Sequence, residues 1–212
     1  MQQTRNYQKE LDAIISGLND RPRLLLHACC APCSSYCLEY LTKHFDITLF
    51  FYNPNITDKE EFDKRYNELK RLVKEMNLDI QVVCPEYNRQ VFLDAVKGKE
   101  DLPEGGERCS VCFALRLKKA CDYAEQNGFD YYCSTLSISP YKDAKRLNEI
   151  GENLASGKKV KHLPNDFKKK GGYLRSIQLS HEYNLYRQSF CGCEFSLRES
   201  QKIRENKDNE NA

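Results

Sequence analysis

Residues 23–41 read RLLLHACCAPCSSYCLEYL. The first six residues, RLLLHA, form a short apolar run of strand length. They end in Cys29-Cys30-Ala31-Pro32-Cys33, and residues 34–44 then carry Tyr36, Leu38, Leu41 and Phe45 along one side of a helix. Strand, cysteine turn and helix repeat their alternation downstream. ITLFFYN (47–53) is a second strand, stopped by Asn53-Pro54-Asn55. Thr57 caps a helix that runs to about Met76, with Glu60 as its capping-box partner. IQVVC (80–84) is a third strand, and 88–97 is a short helix. DLPEGGE (101–107) is a loop. A helix follows to about Asn127, with Gly128 closing it. YYCSTL (131–136) is a fourth strand, and a helix runs from Tyr141 to Ser156. Upstream, residues 3–18 are a helix ended by Arg21-Pro22. Residues 157–173 read as an exposed basic loop, 180–188 as a short helix, and 201–212 (QKIRENKDNENA) as a disordered tail. The alternation predicts one α/β domain over residues 1–200, built on a parallel sheet. Ligands in such folds sit at the carboxyl ends of the strands. Cys29 to Cys33 occupy that position.

The chain has 212 residues, of which 30% are charged, and its mean hydropathy is −0.72. No apolar run approaches the ~20 residues that span a bilayer, and MQQTRNYQKELDAII lacks a signal-peptide core. Membrane and secreted classes are therefore disfavoured, and a cytoplasmic protein is expected. The net charge of +2 hides an asymmetry. Residues 1–141 carry 18 Lys and Arg against 21 Asp and Glu, whereas residues 142–190 carry 11 against 5. A polyanion would dock on the later segment.

Eleven cysteines are too few and too odd in number for a secreted disulfide scaffold. In a reducing setting they point to metal binding or redox chemistry. Three clusters stand out: Cys29-Cys30-x-x-Cys33, Cys109-x-x-Cys112 and Cys191-x-Cys193. Cys109 and Cys112 share one face of a helix start, where the dipole favours thiolates. Gly192 lets the backbone curl between the last pair. Structural zinc needs two paired knuckles, and the vicinal Cys29-Cys30 is a poor chelate for one ion. The radical-SAM spacing C-x₃-C-x₂-C fails, because position 36 is Tyr after Cys29 and Cys33, and position 40 is Tyr after Cys33 and Cys37. A thioredoxin-like Cys30-x-x-Cys33 dithiol leaves the other clusters unexplained. A [4Fe–4S] cluster with further thiols beside it suits the inventory best. Cys37, Cys84, Cys121 and Cys133 lie within strands and helices and read as core residues. His27 either tunes the site or satisfies a backbone group. The Lys168-Lys169-Lys170 run reads as solvated surface or as a contact for nucleic acid.

The segments LLLHACCAPCSSYCLEYL (24–41), ERCSVCFALRL (107–117), STLSISPYKD (134–143) and DFKKKGGYLRSIQLSHEYNLYRQSFCGCEFS (166–196) resemble the QueH family of cobalamin-independent epoxyqueuosine reductases. The HxCCAPC and YRQxxCGCxxS patterns carry the resemblance. It implies reduction of epoxyqueuosine to queuosine at the anticodon wobble position of tRNA. It also implies a Rossmann-like fold of the PP-loop (HUP) class, a [4Fe–4S] cluster and a neighbouring single iron. CCAPCSS stands where that class carries a glycine-rich phosphate loop, so ATP use is not expected.

By the same resemblance, Cys30, Cys109, Cys112 and one of Cys191 or Cys193 bind the cluster. Cys29, Cys33 and the other CGC thiol bind the single iron. Some members carry Asp at the position of Cys33, which leaves Cys33 as an iron ligand or half of a redox pair. Cys29 and Cys33 are the catalytic candidates. Proton donors are sought among His27, Tyr141, Lys142 and Asp143. Lys158, Lys159, Lys161, Lys168, Lys169, Lys170 and Arg175 are the candidate RNA contacts, with Tyr173 as a stacking face. A ferredoxin- or flavodoxin-type protein is the expected electron donor. Two other classes stand beside this one: a PP-loop-type iron–sulfur tRNA thiolase, and a zinc-binding RNA module.

Overall fold

A computed structural model describes residues 5–210. Its five strands are β1 (Arg23–His27), β2 (Asp46–Phe50), β3 (Val82–Val83), β4 (Tyr131–Ser134) and β5 (Lys161–His162). They form one sheet in the order β3-β2-β1-β4-β5, with every pairing parallel. The helices are α1 (Tyr7–Ser16), α2 (Ala31–Leu41), α3 (Lys59–Glu75), α4 (Gln90–Ala95), α5 (Glu107–Gln126), α6 (Ala144–Ala155), α7 (Gly172–Glu182) and α8 (Glu194–Glu210).

Leu24, Leu25 and Leu26 are wholly buried because helices cover both faces of the sheet. Strand alternation divides them. Leu24 and Leu26 join the apolar cluster of α2 and α3, with Leu38, Phe62 and Leu69. Leu25 points the other way, into the cluster of α5 with Leu117 and Ala120. The chain leaves β1 towards β2 and later returns to β1's other side as β4. The turns after β1 and β4 thus diverge over one crevice, the switch point of an open α/β sheet.

Local chemistry shifts several boundaries from the sequence reading. α2 starts at Ala31, not residue 34, because Pro32 suits a first turn. Asp58, not Thr57, caps α3: its carboxylate accepts the amides of Glu60 and Glu61. Residues 157–173 are not wholly an exposed loop. They supply β5 and bury Val160, Leu163 and Phe167, an apolar pattern that the intervening lysines dilute. The helix expected at 180–188 is not there: α7 spans Gly172–Glu182, and residues 183–188 are turn and irregular chain. A Cβ at Gly172 would collide with the Phe167 carbonyl and the Tyr36 ring, so only glycine lets α7 press onto α2. The segment 201–210, read as a disordered tail, continues α8 instead. Its Glu, Lys, Gln and Arg are good helix formers. Residues 3, 4, 211 and 212, which enter the sequence reading, lie outside the described residues.

Candidate metal centre and substrate cavity

His27 ends β1, fully buried. Its Nε2 lies 3.0 Å from the Tyr52 carbonyl, which can only accept, so Nε2 carries the proton. Nδ1 therefore accepts from the Ser134 hydroxyl at 2.7 Å. The Ser134 oxygen in turn accepts the Leu136 amide. Burial, followed by the Arg116 charge, pushes the imidazole down to about 3. His27 is thus a neutral bolt joining the ends of β1, β2 and β4. Of its two sequence readings, the structural one describes it, and both nitrogens are already occupied.

Two residues on, the Cys29 amide donates to Thr135 Oγ1 at 3.2 Å, and the Thr135 hydroxyl donates to Cys29 Sγ at 3.4 Å. Cys30 follows as the N-cap of α2, and the first turn of that helix carries Cys33 back towards both. The three sulfurs lie within 4.8 Å of one another. Hydrogen bonds from Cys30 and Cys33 hold the Cys29 thiol well below its ordinary range, against burial.

Cys109 and Cys112 lie on the first turns of α5, after a Gly106 N-cap. The Gly105 amide donates to Cys109 Sγ at 3.2 Å. Burial outweighs the Arg116 charge here and pushes Cys112 up to about 11. The third cluster is clamped from α3. Arg65, held by Glu61 at 2.6 Å, donates to the carbonyls of Cys191 at 2.9 Å and Phe190 at 3.3 Å. Gly192 sits at φ +118°, and a Cβ there would lie 2.8 Å from Ile56 Cγ1. The Ser196 amide donates to Cys193 Sγ at 3.4 Å. A hydrogen bond from Cys193, then the Lys142 charge, draws the Cys191 thiol down to about 6.

The clusters meet at two adjoining cavities. The larger, about 590 Å³, is lined by Cys29, Cys33 and Cys191, with Arg116, Lys142, Tyr173, Arg187 and Gln188. The smaller, about 30 Å³, is lined by Cys109, Cys112, Cys191 and Cys193, with Arg116 and Lys142 again. Cys191 faces both cavities, and Cys30 lines neither. Burial works against the Lys142 ammonium, but Cys191, Cys29 and Cys33 outweigh it and hold its pKa up.

Of the other proton-donor candidates, Asp143 caps α6 and Tyr141 is 83% exposed at the rim of the larger cavity. Cys37, Cys121 and Cys133 are fully buried core residues, and Cys84 is half-buried against the core. The basic segment divides. Lys161 pairs in register with Tyr131 at the start of β4, so it, Lys158 and Lys159 lie at the amino edge of the sheet, away from the three cysteine clusters. Lys158 is also paired with Asp122 at 2.5 Å. Lys168 lies nearer the site, beside the carbonyls of Ser137 and Lys142, and pairs with Asp166 at 2.8 Å. Lys170 pairs with Asp12, and Arg175 with Glu39. The sequence reading missed Arg65, Arg116 and Thr135. A signal existed for the arginines: each stands at a core-facing step of its helix, Arg65 between Phe62 and Leu69, Arg116 between Phe113 and Ala120.

Residues 24–199 match the family model described as epoxyqueuosine reductase QueH. Curated relatives of that name include one from Streptococcus pyogenes serotype M1, 43% identical over 84% of this chain and 71% of its own. One from Staphylococcus epidermidis is 42% identical over 90% and 84%. One from Thermotoga maritima is 34% identical over 83% and 91%. Among solved structures, the U34-tRNA thiolase NcsA from Methanococcus maripaludis, with its [4Fe–4S] cluster, superposes with a TM-score of 0.54. It is 13% identical, covering 96% of this chain and 73% of that one, a likeness of fold. No helix among the described residues is long and apolar enough to cross a membrane.

Proposed function

The chain belongs to the epoxyqueuosine reductase QueH family, and on that premise we propose how its residues divide the work. The reaction reduces epoxyqueuosine to queuosine in tRNA. Two electrons and two protons enter, both carbon–oxygen bonds of the epoxide break, an alkene forms, and the oxygen leaves as water.

The donor set suits an iron–sulfur centre. Six thiols line the two adjoining cavities, the Cys30 sulfur lies within 4.8 Å of those of Cys29 and Cys33, backbone amides donate to the Cys109 and Cys193 sulfurs, and the cations Arg116 and Lys142 line both cavities. We assign Cys30, Cys109, Cys112 and Cys193 to a [4Fe–4S] cluster, and Cys29, Cys33 and Cys191 to a single iron. The supporting observation is which thiols face which cavity: Cys29, Cys33 and Cys191 face the larger, and Cys109, Cys112 and Cys193 the smaller, while Cys30 lines neither and is placed by the family resemblance alone. When bound, these groups supply single electrons and a Lewis-acidic position towards the substrate oxygen.

The protein's own residues do the rest. The larger cavity accepts the modified base extruded from the anticodon loop. Tyr141 at its rim and Tyr173 on its wall offer stacking faces. Lys142 Nζ, kept as an ammonium by the surrounding thiols, delivers a proton to the departing oxygen. Lys168 and Lys169, on the segment that leads to the cavity, hold RNA phosphates, with Lys170 and Arg175 exchanging carboxylate partners for phosphates. Lys158, Lys159 and Lys161 take no part from the amino edge. A small ferredoxin- or flavodoxin-type protein supplies the electrons.

Anaerobic purification with iron and sulfide analysis tests this reading, followed by turnover of tRNA bearing epoxyqueuosine. Roughly four sulfides and more than four irons per chain are expected. Zinc alone would favour an RNA-binding module. Cys30→Ala decides the partition: cluster absorbance should be lost, and its retention with only the extra iron missing would move Cys30 to the single iron.

A further inference from the structure

Three arginines of the described chain are buried: Arg65, Arg108 and Arg116. Arg65 reaches Glu61 at 2.6 Å, and Arg108 reaches Glu199 at 3.0 Å. Among the described residues, Arg116 makes no ion pair with a carboxylate. It is 3% exposed. Its Nη2 donates to Asn53 Oδ1 at 2.5 Å, and Asn53 Nδ2 donates in turn to the Ala28 carbonyl at 2.9 Å. Its Nε is buried with no partner.

A guanidinium cannot shed its proton, and burying it without an anion is costly. The arrangement makes sense only if an anion belongs beside it. Arg116 follows Cys112 by one helical turn on the same face of α5. It lines both cavities, the larger with Cys29 and Cys33, the smaller with Cys109, Cys112 and Cys193, and each with Cys191. The Asn53 bridge fixes the guanidinium against the backbone just before Cys29. It therefore cannot swing away when a charge changes.

We propose that Arg116 is a positioning residue that sets the redox poise of the thiol-bound centre, by placing one fixed positive charge between its two parts. This rests on the cluster assignment above. Reduction adds negative charge to a thiolate-bound centre, and a nearby buried cation favours that form. Without it, reduction becomes harder.

The test is an anaerobic redox titration of the reconstituted full chain, followed by electron paramagnetic resonance, in wild type, Arg116→Gln and Arg116→Lys. Gln keeps a donor for Asn53 without the charge, and Lys keeps the charge. The midpoint of Arg116→Gln should fall by at least about tenfold in the reduction equilibrium, about 59 mV for one electron. Arg116→Lys should stay near wild type. An unchanged midpoint in Arg116→Gln, or equal shifts in both variants, would overturn the proposal. If Arg116→Gln fails to hold the cluster, retention by Arg116→Lys supports the charge role and loss from both refutes it. A wild type that takes up no iron would instead refute the cluster assignment, so the two failures are distinguishable.

Discussion

Replacing Gly192 by Ala attacks the turn that carries two of the seven thiols. Two penalties combine. At φ +118° a residue with a Cβ is strained, at about 1–3 kcal/mol. The new methyl also lies 2.8 Å from Ile56 Cγ1 and 3.1 Å from Arg65 Nη1. Neither neighbour yields easily: Ile56 is 1% exposed, and Arg65 is tied to Glu61 and to two carbonyls of the turn. The turn must therefore move, taking Cys191 and Cys193 with it. For a loss of about 2 kcal/mol in the metal-free protein, the melting temperature should fall by roughly 4–8 °C. Iron content after anaerobic reconstitution should fall more steeply, because two thiols leave their stations together. Ile56→Ala removes that Cγ1 and leaves the backbone strain, so the losses from Ile56→Ala and Gly192→Ala should combine less than additively. A Gly192→Ala protein with unchanged melting temperature and full iron would show that the turn is not held as described.

Cys29→Ala should abolish turnover while most of the cluster absorbance remains, because Cys29 faces the larger cavity; full activity would sink its assignment. Glu at both Lys168 and Lys169 should raise KM for tRNA without altering iron content. Each lost phosphate contact would flatten the salt dependence of binding by about 0.7, and an unchanged slope counts against the docking face. His162 is half-buried, and desolvation by its surroundings, followed by the Arg5 charge, pushes it down to about 3. The unfolded chain therefore takes up its proton first as pH falls from 6.5 towards 3, and stability is lost through that window. Urea unfolding should show roughly 2 kcal/mol less stability at pH 5 than at pH 7 from this group. His162→Gln should flatten that difference, and an identical pH slope in both proteins would rule out the role.

Sheet class and site position were legible because they rest on patterns a sequence displays. A Leu24–Leu26 run buried on both faces leads into clustered cysteines, and the parallel fold puts that junction at the crevice. β5 was not legible: a two-residue strand that begins with Lys161, just after Lys158 and Lys159, takes its place from pairing with β4. Neither was the start of α7, where steric contact with Tyr36 and Phe167 decides. Spacing alone could not say which thiols face which cavity, since that depends on the Arg65 clamp joining segments far apart in sequence. Composition is blind to where the lysines stand. It counted the charge of residues 158–161 but not their edge of the sheet.

The clamp also fixes an order of events during synthesis. Between Cys33 and Cys191 the chain must lay down everything from β2 through α7. The trio on the β1–α2 turn is therefore complete long before the thiols that close the centre have been translated. Metal delivered to the nascent chain would find three sulfurs and no lid. A centre held by all three clusters would therefore close only after Cys191 and Cys193 are translated, and until then neighbouring thiols such as Cys29 and Cys30, whose sulfurs lie 3.8 Å apart in the fold, would be open to oxidants and to the wrong ion.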